Sequence, residues 1–94
     1  MGDTTEARRV RSARAAYLRD LGSGRRSLRE TLRRPPESLK TAYVWDLLMA
    51  THNLGPTGCR KTLAVANVDG TLLVGELTSN QRRSIDKALP KRAK

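Results

Sequence analysis

Apolar residues recur at three- and four-residue spacing along most of the chain, and glycine and proline clusters break the pattern into short helical segments. The first segment runs from about Thr4 to Leu21, with Asp3 or Thr4 placed to cap it and Glu6 near its positive end. At about 100° per residue, Val10, Tyr17 and Leu21 fall within about 40° of one another. Arg8 and Arg19 lie on the opposite side, flanked by Arg9 and Arg11. This is an amphipathic helix with a tyrosine–aliphatic stripe and an arginine face about 25 Å long. Arg14 breaks the pattern beside the stripe, which calls for a snorkelling side chain or a stretch that projects past the core.

Gly22-Ser23-Gly24 ends this helix, because glycine accepts the left-handed conformation of a helix stop. Ser27-Leu28-Arg29-Glu30 has capping-box spacing and opens a short second helix with Leu28 and Leu32 as its apolar pair. Pro35-Pro36 stops it. Residues 37–43 read as a linker. A third helix, roughly Ala42 to Thr51, offers Val44, Leu47, Leu48 and Trp45 to a core. Asn53-Leu54-Gly55-Pro56-Thr57-Gly58 reads as a tight turn, with a fourth helix from about Gly58 to Asn67. Asp69-Gly70 leaves two readings open: a hairpin turn flanked by Leu63–Val68 and Thr71–Leu77, or a helix end followed by an extended connector. Thr78-Ser79-Asn80-Gln81 is a second capping box and opens a last helix, with Ile85, Ala88 and Leu89 at helical spacing and Pro90 at its close. Lys91-Arg92-Ala93-Lys94 reads as a mobile basic tail. There is no internal repeat.

Charge sharpens this picture. The 94 residues carry 19 Lys and Arg against 9 Asp and Glu, a net charge of +10 in a chain long enough for one modest core. Residues 1–34 hold ten arginines, no lysine and four acids; residues 35–70 are neutral; residues 71–94 hold six basic residues against two acids. The centre is apolar and the ends are charged, and such an excess attracts polyanions. Arginine suits phosphate, because its planar fork bonds two oxygens at once.

A membrane partner is disfavoured, because no apolar run approaches the roughly 20 residues of a spanning helix. The acidic start Asp3 to Glu6 lacks the apolar stretch of a secretory signal, and the sixth position is not the Ser or Thr of a myristoylation pattern. A single cysteine, Cys59, excludes an internal disulfide or a cysteine zinc site and fits a reducing cytoplasmic compartment. No metal or cofactor is expected. His52 has no nucleophile or carboxylate partner at useful spacing, and Asp3, Glu6 and Asp46 form no acid–base pair, so no catalytic residue is assigned. Trp45, Tyr17 and Tyr43 read as core anchors; with so few aromatics and no Phe, a base-stacking platform for single strands is poorly supported.

The sharpest local feature is the turn Leu54 to Lys61. Gly55 and Gly58 let backbone approach a ligand, the first N–H groups of the following helix favour an anion, Thr57 adds a hydroxyl, and Arg60 and Lys61 add charge. Such a turn clamps a phosphate and reads no base; the alternative is a plain turn between packed helices. The last helix repeats the logic. Thr78, Ser79 and Asn80 are small donors at its start, and Arg82 and Arg83 follow. Cations near a positive helix end make sense if a phosphate sits there, and otherwise form a solvated face.

In the order and spacing of these pieces, over residues 8–89, the chain resembles the actinobacterial integration host factor family, the mycobacterial and streptomycete type. The resemblance is carried by Leu21-Gly22-Ser23-Gly24 before Ser27-Leu28-Arg29-Glu30, by Val44-Trp45-Asp46-Leu47-Leu48, by Gly55-Pro56-Thr57-Gly58-Cys59-Arg60, and by Leu77-Thr78-Ser79-Asn80-Gln81-Arg82-Arg83. It implies an all-α fold: a long basic N-terminal helical arm (residues 1–36), a compact helix–two-turn–helix domain (37–90) and a basic tail (91–94). That fold favours the helix end and connector over the hairpin.

The resemblance further implies a monomeric, cytoplasmic, nucleoid-associated protein. It would bind double-stranded DNA with little sequence preference, bend or compact it, and assist an integrase in recombination. Carried over, the phosphate clamp is Gly55, Pro56, Thr57, Gly58, Arg60 and Lys61, and the basic helix face is Arg8, Arg9 and Arg11. The turn departs from the family's Gly-x-Gly spacing, so its register is open by one residue. Before the last helix, where the family is arginine-rich, this chain reads Leu72-Leu73-Val74-Gly75-Glu76-Leu77-Thr78, which points to a divergent or bacteriophage-encoded member. The competing functions are RNA or ribosome binding, a recombinase adaptor docking through Leu72-Leu73-Val74, and a DNA glycosylase. The last needs an N-terminal amine nucleophile and usually a zinc finger.

Overall fold

The computed structural model describes residues 2–93. Five helices follow one another: α1 (Gly2–Ser23), α2 (Leu28–Arg33), α3 (Val44–Ala50), α4 (Gly55–Ala66) and α5 (Ser79–Ala88). Two single 3-10 turns, Glu37–Leu39 and Val74–Glu76, lie between them, and no strand forms among the described residues. The molecule measures 44 × 26 × 20 Å.

The capping signals of α2 and α5 act where the sequence places them, whereas α1 already runs from Gly2, so Asp3 and Thr4 lie inside that helix and not at its cap. The Ser27 hydroxyl accepts from the Glu30 N–H at 3.3 Å. Thr78 and Gln81 make a reciprocal box, the Thr78 N–H donating to Gln81 Oε1 at 2.9 Å and the Gln81 N–H to Thr78 Oγ1 at 3.1 Å. Each cap supplies partners that a helix's first N–H groups cannot find within the helix. The helix stop after α1 extends past Leu21, because Gly24, at φ 83°, is the residue that turns the chain.

One core joins all five helices. Leu21, Leu28, Leu32, Leu39, Val44, Leu47, Leu48, Cys59, Val74 and Ile85 are essentially solvent-free. Burial of this kind stabilises by roughly 25 cal/mol per Å² of apolar surface and is the main force holding the short helices in place. Leu39 and Ala42 belong to this core, so residues 37–43 are not a plain linker; the 3-10 turn seats Leu39 inside it.

Residues 68–77 form the connector and not the hairpin. Asp69 Oδ1 accepts from both the N–H and the hydroxyl of Thr71, at 2.9 and 2.8 Å, which turns the chain and holds the Asp69 carboxyl below its ordinary range. The chain then runs antiparallel to residues 40–45, with Trp45 N–H to Gly70 O, Val44 N–H to Leu72 O, Val74 N–H to Ala42 O and Gly75 N–H to Lys40 O, all at 2.8–2.9 Å. The partner that a hairpin would have drawn from α4 comes from the start of α3. Val74 is buried, and Leu72 packs against the core, so the Leu72-Leu73-Val74 segment works largely inside the fold. Tyr43, read as a core anchor, is instead 52% exposed, because it faces out where the backbone pairs with Leu73. Trp45 and Tyr17 are half-buried against the core as expected.

Arg14 neither snorkels along the stripe nor marks free helix. Its Nε–H donates to Ser38 O at 2.9 Å and its terminal nitrogen to the Thr41 hydroxyl, which ties α1 to the 37–41 segment. His52 does similar work at the other end: its N–H donates to Leu21 O at 2.9 Å, and its Nδ1 hydrogen-bonds Gly22 O at 3.0 Å. Thr31 gives its one proton to Ser27 O at 2.8 Å, so the 2.7 Å bond between Thr31 and Tyr17 has the Tyr17 phenol as donor.

Candidate nucleic-acid interface

The fourth helix starts earlier than its sequence suggests. Gly55, Pro56, Thr57 and Gly58 are not turn residues but the first turn of α4, and the turn itself is Thr51 to Leu54. Proline fixes φ near the helical value and loses nothing at a position whose N–H has no partner in the helix, so Pro56 starts α4 well. Asn53 and Gly55 take left-handed φ values of 63° and 71° and reverse the chain where it enters α4. The Gly55 conformation strains any residue with a side chain.

The start of α4 differs from the other helices of the compact part. Ser27 and Thr78 cap α2 and α5. The opening N–H groups of α3, on Val44 and Trp45, bond Leu72 O and Gly70 O. Leu54 offers α4 no side-chain cap, and no partner is found among the described residues for the N–H groups of Thr57 and Gly58. Among the described residues the positive end of this 12-residue helix thus has no protein acceptor, and it lies beside exposed Gly55, Pro56, Thr57, Arg60 and Lys61. Beneath it, Leu54 and Cys59 are buried and anchor the turn to the core. Burial raises the Cys59 thiol above its ordinary value, which fits a small apolar packing residue and not a nucleophile.

A second basic cluster forms where α2 meets α5. Arg29, Leu32, Arg33, Ser79, Arg82, Arg83 and Asp86 line a groove of about 280 Å³. Arg29 is committed to the fold: its guanidinium bonds Asp86 Oδ1 at 2.5 Å and Asp86 O at 2.6 Å, and reaches Pro90 O at 3.3 Å. It thereby supplies donors to carbonyls at the end of α5 that the helix cannot satisfy. Arg33 and Arg83 are exposed, and half-buried Arg82 donates to the Ser79 hydroxyl at 3.3 Å. Of the small donors expected here, Thr78 is occupied as the cap, while Ser79 and Asn80 are exposed.

Arg8, Arg9 and Arg11 are exposed on α1 and make no ion pair among the described residues. Around them Thr5, Glu6, Ala7, Ser12 and Ala13 are exposed as well, so the first turns of α1 stand clear of the core. The structure therefore gathers the predicted residues into three places: the α4 start, the α2–α5 groove and the free end of α1. Arg33 joins the second without having been picked out from the sequence; its position one helical turn from Arg29 was the available signal. No group of three or more His, Cys, Asp or Glu is placed to hold a metal among the described residues.

No family model matches the sequence, and no curated protein matches it. Among solved structures the chain is similar to that of sIHF bound to an 8 bp palindromic DNA, with a TM-score of 0.77 and 20% identity, over 92% of this chain and 99% of that one. At that identity the likeness is one of fold: this chain shares the overall all-helical fold of that structure.

Proposed function

We propose that this protein is an architectural binder of double-stranded DNA that grips the phosphate backbone and performs no chemistry on it. The observation that carries the reading is the start of α4, an unpartnered helix N-terminus in a chain of net charge +10, flanked by Thr57, Arg60 and Lys61. A phosphodiester supplies the oxygens that these N–H groups lack, and the positive end of the helix favours its charge. Gly55, Pro56 and Gly58 keep that approach free of bulky side chains. The α2–α5 groove supplies a second set of contacts through Ser79, Asn80, Arg82, Arg83 and Arg33, with Thr78 holding the helix start in shape. Arg8, Arg9 and Arg11 extend the positive surface along α1.

Contacts of this kind position the duplex without reading bases, so sequence preference is weak. Several clusters on one small body favour a bent path, since curving the duplex brings more phosphates into reach. On the same reading the protein acts as a monomer on the nucleoid and assists an integrase by shaping its site. That no described helix is long and apolar enough to cross a membrane agrees with it. The resemblance to sIHF, whose structure holds DNA, supports duplex DNA as the polyanion.

The test is a competition for a labelled duplex of about 30 base pairs, by unlabelled DNA duplexes of unrelated sequence and by duplex RNA. Equal competition among DNA sequences with weaker competition by RNA is expected. Preference for RNA would overturn the reading. Circular-permutation gel mobility would then report the bend.

A further inference from the structure

The last residues do not behave as a loose tail. After α5, Pro90 begins a turn closed by the Ala93 N–H on Pro90 O at 3.0 Å, and Ala93 is 3% exposed and part of the core. This fixes Arg92 between two anchored residues. Its Nε–H donates to Asn53 O at 3.0 Å, across 39 positions of sequence, in the turn that precedes α4. A Cβ built on Gly58 would lie 3.6 Å from the Arg92 Nη2 atom, so the outer edge of the guanidinium sits over the first turn of α4. Arg92, Gly58, Lys61 and Thr62 share the lining of one cavity of about 280 Å³ with Val65, Ala88 and Pro90.

We propose that Arg92 is a phosphate-binding residue of the α4 site, and that the C-terminal segment is a built part of the interface. The proposal rests on the reading of the α4 start as a phosphate clamp. Arginine has five N–H donors. The Asn53 carbonyl takes one, no acid pairs with the side chain among the described residues, and the Nη groups remain for an anion beside Lys61. The tether orients the fork before the ligand arrives, so little side-chain freedom is lost on binding. Lys91, exposed and without such a tether, contributes only diffuse charge.

The experiment uses full-length protein and a labelled 30 bp duplex, with affinity measured by anisotropy over a salt series. Arg92→Ala is expected to lower the slope of log affinity against log salt by about 0.9, the loss of one phosphate contact. Lys91→Ala is expected to change the slope by less, and Arg92→Lys to restore most of it, since lysine keeps the charge. Equal slopes for wild type and Arg92→Ala, or an Arg92→Lys variant as weak as Arg92→Ala, would overturn the proposal. Wild-type protein that does not bind duplex at all would take down the α4 reading together with this one. Amide chemical shifts separate the docking itself: in the free protein, Arg92→Ala is expected to move the signals of Asn53, Leu54 and Gly58. Their constancy would also overturn the placement.

Discussion

Arginines in two stretches of α1 have opposite fates. Near its middle, Arg14 is held by Ser38 O and Thr41; near its start, Arg8, Arg9 and Arg11 stand in solvent. The same contrast divides the α2–α5 seam, where Arg29 is locked onto Asp86 and the end of α5 while Arg33 and Arg83 are exposed. Residue type does not separate the two groups. What separates them is whether the fold brings an acceptor within reach. A tied arginine contributes to stability, and an untied one keeps its donors for an acceptor that comes from outside.

Substitutions can break this division, and the largest effect on stability falls at Arg29. Arg29→Ala removes charge-assisted bonds to Asp86 and to the α5 carbonyls, and is expected to cost about 2 kcal/mol, a fall in Tm on the order of 10 °C. Thermal unfolding followed by circular dichroism reads it. Arg14→Ala should cost about 1 kcal/mol in the same measurement, since that side chain is half-buried and makes two bonds.

Asp69 gives a smaller, pH-dependent effect. Its carboxyl is lowered from 3.8 by the backbone and hydroxyl bonds from Thr71. A depressed carboxyl stabilises the fold above its unfolded value, and that contribution is lost as pH falls through the folded value. The Tm difference between wild type and Asp69→Ala should therefore be present at pH 7 and shrink below pH 3.8. Least affected in stability is the Arg8→Ala/Arg9→Ala/Arg11→Ala triple, expected within about 0.5 kcal/mol of wild type. Its effect belongs to binding, where the salt slope should fall by up to roughly 2.7 if each arginine meets one phosphate.

This division was only half legible in the sequence. Local signals are readable because they act locally: the Ser27 cap, the box at Thr78, the stop at Gly22-Ser23-Gly24 and the apolar spacing of Leu28, Leu32, Leu47, Leu48 and Ile85 work as their residue types dictate, although the Glu30 side chain does not close the first box. What depends on distant backbone was not readable. By spacing alone Pro56 reads as part of a turn, because nothing nearby in sequence shows that the chain has already reversed at Asn53 and Gly55. The 3-10 turn that buries Leu39, and the pairing of residues 70–75 with 40–45, need partners about thirty positions apart. The exposure of Tyr43 has the same cause, since it follows from the backbone pairing with Leu73. Of the site, Arg60, Lys61 and Arg83 are exposed where the spacing puts them and Arg82 is half-buried in the groove; Arg33 and Arg92 come into view only once α2, α5 and the chain end are packed. A single alanine among the basic residues of the tail was the one hint that the segment docks.

On the proposed function, the start of α4 holds a backbone phosphate. Affinity for a duplex of about 30 bp, measured from 50 to 300 mM salt with wild type and with Arg60→Ala/Lys61→Ala, tests it most directly. Binding that weakens in the double variant, with a salt slope smaller by about 1.8, is the predicted result. A folded double variant with wild-type affinity and slope would contradict it and move the grip to the α2–α5 groove and the arginines of α1.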